Sequence, residues 1–251
     1  MKIILALLKR EILEHTSIWK VPLVMLVVSI LVKLSFSVGN LSVNVSVPDF
    51  LNLNSTVDSA IDGILVRSMW LVNGLISFVM MVVSVFYALS CLNAEKQDQS
   101  VLFWRSLPVS DTMTVASKLI IALLVIPVVI VFSHIVVSVV FLGSDSVGYL
   151  QNSISLSVIS TAKIVAWLLL PIVAWCVCCS SVAKKGPFLL AFVIPFVLII
   201  VDELFFELGL SYLVIGRFYP NNYDSALLLM SGVGLSVVCI YVAIIKRSQR
   251  I

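Results

Sequence analysis

The run Leu119–Leu142, LIIALLVIPVVIVFSHIVVSVVFL, decides the fold. It contains no Asp, Glu, Lys or Arg, and as a helix it is long enough to cross a bilayer core of roughly 30 Å, which takes about 20 residues. Its apolar residues are continuous rather than alternating, so it reads as a helix and not as a strand of a membrane barrel. Five more runs flank it: Trp19–Val38, Met69–Leu92, Val158–Val182, the shorter Pro187–Val201, and Ala226–Ile245. The whole chain agrees, with 61% of its 251 residues hydrophobic, 12% charged and a mean hydropathy of +1.17. Soluble domains are about 25% charged, and one of this length has no room to enclose so much apolar surface. The expected fold is an all-α integral membrane protein, a single domain over 1–251 with six transmembrane helices.

The first run is too long for the apolar core of a signal peptide, follows a charged lead and lacks a small-residue cleavage site, so it reads as an uncleaved span. Twelve of the sixteen Lys and Arg residues fall on the side of the N-terminus. Arg67 and Arg217 fall on the other side, and Lys33 and Lys163 lie near span ends. This asymmetry places both termini in the cytoplasm, and an even number of spans requires the same. The net charge of +3 reflects that bias and gives no sign of a nucleic-acid partner.

Outside the spans, Leu41, Val43, Val45 and Val47 alternate with polar residues in a strand-like period, and Val57–Trp70 reads as helical. Near the N-terminus Ile3, Ile4, Leu7 and Leu8 share one helical arc with Lys2 and Lys9 opposite. This predicts an interfacial helix over 1–18 with its basic side on lipid headgroups. Glu11 and Glu14 fall on the aliphatic arc; either they face a protein or they are solvated at a helix end. The loop after the second span, 93–111, reads NAEKQDQSVLFWRSLPVSD. It begins charged and helix-compatible, turns aromatic and is closed by Pro108, with Ser110 or Asp111 placed to cap the third span. A solvated loop has little reason to carry Leu102, Phe103, Trp104 and Leu107 together, so it rests on the membrane interface or docks into another protein.

With the Lys9-Arg10-Glu11 lead and Lys118, this loop resembles the ABC class 2 permeases, the six-span membrane subunits of ATP-binding-cassette transporters. The likeness covers the chain in layout and is specific in the one loop. It implies a coupling helix within 93–111 that fits a groove on a separate ATPase subunit. Glu11, Glu95, Asp98, Leu102, Trp104 and Arg105 would then lie at that interface. It further implies an interfacial connecting helix at the N-terminus, short re-entrant segments between spans five and six, a second permease copy or paralogue as partner, and a bacterial inner membrane location. The residues agree in part with the re-entrant segments. Pro187–Val201 makes about 22 Å of helix, so Asp202, Glu203 and Glu207 arrive near the outer boundary. Leu208–Tyr219 is apolar but too short to cross, with Gly209 and Gly216 as breakpoints. Pro195 is expected to kink span five. Asp202 and Glu203 read either as a shared outer gate or as ordinary boundary residues.

No Lys is followed by Ser or Thr, so the chain has no P-loop, and ATP hydrolysis is expected on a partner subunit. No catalytic residue, metal site or cofactor is expected. The only histidines are His15 and His134, and mid-span His134 reads as a neutral ring bonded to a neighbouring helix. Asp202 and Glu203 point about 100° apart on a helix rather than forming a facing dyad. Cys176 and Cys179 share a helical face that Cys178 leaves, so these thiols, with Cys91 and Cys239, read as small buried hydrophobes. The expected function is a transmembrane subunit of an exporter for apolar or amphipathic cargo, since no charge ring lines the spans. A secondary transporter or channel is the alternative, although half-repeats and mid-span charges are wanting. An intramembrane enzyme or scaffold is a further one.

Overall fold

The computed structural model describes residues 2–38, 60–97, 110–142, 147–183, 186–206, 212, 214, 216–218 and 226–248. Among them there is no strand. The helices are α1 (Lys2–Glu14), α2 (Ser17–Val38), α3 (Ala60–Ser90), α4 (Asn93–Gln97), α5 (Asp111–Ile120), α6 (Ile126–Leu142), α7 (Val147–Ile164), α8 (Leu170–Val182), α9 (Pro187–Val201) and α10 (Ala226–Ser248). π-Helical turns join α5 to α6 (Ile121–Val125) and α7 to α8 (Val165–Leu169), and a third, Asp202–Phe206, extends α9. Among the described residues six helices are long and apolar enough to cross a membrane: Ser17–Ser35, Arg67–Glu95, Asp111–Phe141, Ser153–Val182, Pro187–Phe205 and Ala226–Arg247. A multi-pass membrane protein is therefore the architecture. The strand-like stretch at Leu41–Val47 lies outside the described residues, as does most of Leu208–Tyr219, where Gly216–Phe218 forms a 3-10 turn.

Helix backbones outrun the apolar runs because i→i−4 bonding does not depend on side-chain polarity. The N-terminal helix stops at Glu14, short of the expected 18, and a new helix starts at Ser17. Ser110, extended at φ −72° and ψ 148°, caps α5 by accepting the Met113 N–H, the first of the two candidates, Ser110 and Asp111, that the sequence offered. Gly186 takes φ +65°, a left-handed conformation that glycine adopts without strain, and lets Pro187 open α9.

The chain forms two compact units. One comprises Met1–Thr16, Met81–Pro127 and Thr161–Ile251; within it α8 packs along α10 and against α9, while α1 packs on α5. The other comprises Ser17–Met80 and Val128–Ser160. In this second unit His134 Nε2 lies 3.1 Å from the Asn73 carbonyl and 3.0 Å from Ser77 Oγ, so the ring bonds to α3, as read from the sequence. The carbonyl can only accept, which puts a proton on Nε2. Lys33 Nζ donates to the Val140 carbonyl near the end of α6.

Three prolines within the first unit's helices dictate local chemistry. Ahead of Pro127 and Pro171 the turn widens, with Ile126 N–H reaching back to Ile121 O and Leu170 N–H to Val165 O. The wider turn accommodates rings that would otherwise press on the carbonyls behind them. Carbonyls that lose a backbone donor in lipid cost several kcal/mol unless another donor is supplied. Side chains supply it: Ser84 Oγ donates to Ala122 O at 3.4 Å, and Arg217 Nη1 to Trp167 O at 3.1 Å. Pro195 cannot donate to Ala191 O, and the Trp175 indole N–H takes that place at 3.0 Å. The backbone stays helical through Pro195.

Candidate functional site

The densest concentration of charge in the described residues lies within the first unit, around the Lys118 ammonium in α5. Lys118 is 1% exposed. Its Nζ lies 2.7 Å from Glu11 Oε1 of α1 and 3.1 Å from Glu95 Oε1 of α4. Glu95 Oε2 accepts from Arg247 Nη1 of α10 at 3.0 Å, and Arg247 Nε donates to Asp111 Oδ1 at 2.9 Å. Tyr87, from the end of α3, donates its hydroxyl to Glu11 Oε2 at 3.0 Å. Four helices thus meet through side-chain ions and a fifth, α3, joins them through the Tyr87 hydroxyl; the carboxylate-bearing Glu11 and Glu95 are 2% and 4% exposed.

Local sequence explains why these groups converge. Lys118 stands just before the apolar run, on the buried face of α5 with Thr114, Val115 and Ser117. Glu95 is delivered by a tight break between α3 and α4, where the Leu92 and Asn93 N–H groups both donate to Ser180 Oγ of α8, at 3.2 and 3.0 Å. Glu11 follows the aliphatic arc of α1 inward, so its position on that arc is explained by a cation waiting inside the chain.

Three acids meet two permanent cations here, and a buried ion cluster is costly to break by removing one member. His15 adjoins the cluster, its ring edge-on to Tyr87 at 4.8 Å and 88°, with Nε2 3.8 Å from Glu11 Oε2. Burial pulls the His15 pKa below its ordinary 6.5, against the opposing pull of the Glu11 charge, which leaves the ring neutral at pH 7. On the rim, Arg10 pairs with Glu14 at 3.3 Å, in an exposed i,i+4 arrangement of little energetic weight.

The structure therefore brings together Glu11 and Glu95 from the expected interface set. Their carboxylates face Lys118, Tyr87 and Arg247 inside the chain. Asp98, Leu102, Trp104 and Arg105 lie outside the described residues. Asp202 and Glu203 part company at the end of α9: Asp202 is 2% exposed and Glu203 is exposed. The five thiols are free; Cys91, Cys176, Cys179 and Cys239 are buried and Cys178 half-buried. Among the described residues no group of three or more His, Cys, Asp or Glu is arranged to hold a metal ion.

Sequence reasoning missed Arg247, Asp111 and Tyr87 as members of the cluster, and Arg217 as a buried group. Arg217 is 8% exposed; besides Trp167 O, its Nη2 reaches Leu228 O at 2.6 Å and Ser231 Oγ at 2.8 Å. A Cβ on Gly232 would stand 2.4 Å from Arg217 Nη1, so the glycine makes room for the guanidinium. Pro171 in an apolar run was the available signal, since its missing donor calls for a substitute. No protein-family model matches the chain, and comparison with curated proteins and with solved structures finds no match either.

Proposed function

We propose that this chain is the membrane subunit of an ATP-binding-cassette transporter of the class 2 permease kind, an exporter of apolar or amphipathic cargo powered by a separate ATPase subunit. In this reading the termini and the 93–111 loop face the cytoplasm of a bacterial cell, and a second permease copy or paralogue completes the pathway. One observation carries it: an aromatic, cationic loop, Leu102-Phe103-Trp104-Arg105, is inserted in an otherwise greasy chain, and both flanks of that loop enter a buried ion cluster. A loop meant to be pushed by a motor needs side chains to be gripped and stiff roots to pass the displacement on. Trp104, Arg105, Leu102 and Asp98 supply the grip, and Glu95 and Glu11 hold the roots. The ATPase state then biases the permease through differential contact with this loop.

The test is co-purification. Pulldown of the tagged chain from its native membrane is expected to bring an ATPase chain, identified by mass spectrometry. Replacing Trp104 and Arg105 together by Ala is expected to lower its yield or uncouple ATP hydrolysis from transport. Unchanged yield and transport in the double variant would count against the assignment.

A further inference from the structure

Arg247 offers two donors of one planar guanidinium to two carboxylates that lie sixteen positions apart in the chain. Nε donates to Asp111 Oδ1 at 2.9 Å and Nη1 to Glu95 Oε2 at 3.0 Å. Glu95 stands just before the 98–109 segment and Asp111 just after it. We infer that Arg247 is a positioning residue that holds Glu95 and Asp111 together, so that the C-terminal end of α10 fixes the spacing between the two flanks of this loop. The inference rests on the proposed function only for what the loop grips; the clamp itself does not depend on it.

The chemistry favours a clamp over an incidental surface pair. Two ionised carboxylates brought against one small group repel each other, and a cation between them offsets that repulsion. A guanidinium does this in a fixed fork, while an ammonium is a point charge with no such geometry. Glu95 turns its other oxygen to Lys118 at 3.1 Å, which also holds Glu11. The neck is therefore tied at once to α10 through Arg247 and to α1 through Lys118. Removing Arg247 would free the Asp111 flank and leave Glu95 on Lys118, so the neck opens on one side while the rest of the cluster stays closed. The α10 end is thereby coupled to the two positions, Glu95 and Asp111, that bound the loop.

The experiment is hydrogen exchange read by mass spectrometry on the full chain in lipid nanodiscs. Arg247→Ala is expected to speed exchange of peptides covering 93–112 by roughly 10- to 100-fold, with peptides of α6 and α9 unchanged. Arg247→Lys, which keeps the charge but loses the planar fork that meets both carboxylates, is expected to fall between. Asp111→Asn, which weakens one arm only, is expected to give a smaller rise in the same peptides. Wild-type rates over 93–112 in Arg247→Ala would overturn the inference. Should that variant exchange faster throughout, Arg247→Lys and Asp111→Asn decide: a rise confined to 93–112 supports the clamp, and wild-type rates there overturn it. No ATPase takes part, so a failed clamp leaves the transporter reading standing, and a missing ATPase leaves the clamp standing.

Discussion

Lys118 in α5 and Arg217 in the 3-10 turn Gly216–Phe218 are both buried cations of the same unit, yet they are put to different work. Lys118 gathers carboxylates from two other helices, Glu11 and Glu95, and through Glu95 reaches Arg247 and Asp111. Arg217 reaches helix carbonyls and a hydroxyl: Trp167 O, Leu228 O and Ser231 Oγ. The first is a joint between elements, and its strength depends on charge state. The second mends a helix that Pro171 has deprived of a donor, and its strength depends on hydrogen-bond geometry. A buried charge is thus not by itself a sign of function; the groups that satisfy it say which role it has.

That contrast breaks or sharpens in measurable ways. The largest effect is expected at Lys118→Met, which removes the cation that the buried Glu11 and Glu95 carboxylates share and should cost about 3–5 kcal/mol of unfolding free energy in detergent. Adding Glu11→Gln and Glu95→Gln should recover part of the loss. If the triple variant is no better than the single, Lys118 is not the electrostatic hub. Next comes Arg217→Met, expected to cost about 1–3 kcal/mol through unsatisfied carbonyls, and no carboxylate substitution on α1 or α4 should rescue it. Gly232→Ala should destabilise the parent chain by forcing the guanidinium aside and should do less harm once Arg217 is Met. Additive costs in that pair would separate Gly232 from the mending role. Smaller still is Trp175→Phe, at about 1 kcal/mol. In a Pro195→Ala background, where residue 195 donates to Ala191 O again, the same change should cost little. The smallest effect concerns pH. The native His15 pKa is lowered, so the unfolded chain takes the proton first as pH falls below about 6.5. Stability from this group is therefore complete above that pH and declines below it, towards the lowered native value. Melting curves from pH 8 to pH 5 should fall more steeply for the parent than for His15→Gln; parallel curves would remove His15 from the account.

Much of the fold was legible because lipid imposes a one-dimensional rule: a continuous apolar run long enough to cross must be helical. All six runs lie in helices long and apolar enough to cross, and of the two cap candidates, Ser110 and Asp111, Ser110 takes the role. The ion cluster was less legible. Glu11 and Glu95 were singled out from the loop resemblance and from an acid standing on an apolar arc, but their partners come from positions 107 and 152 residues away. Neither period nor spacing carries that information. Lys118 and Arg247 each read as one more flanking positive charge, since the bias that orients a membrane protein hides a cation with a structural task. The prolines spoke more clearly in retrospect: each missing N–H calls for a substitute donor, and Arg217 and Trp175 answer from outside the helix being mended.

The central claim is that this polypeptide supplies the membrane passage and a loop to be gripped, while the power stroke belongs to another chain. Reconstitution into liposomes tests it most directly, with cargo drawn from the lipid-soluble fraction of the native cell. With the chain alone, ATP is expected to move nothing; with the co-purified ATPase added, cargo should cross in proportion to ATP hydrolysed. Passage by the chain alone, driven by an ion gradient or by no ATPase at all, would contradict the account.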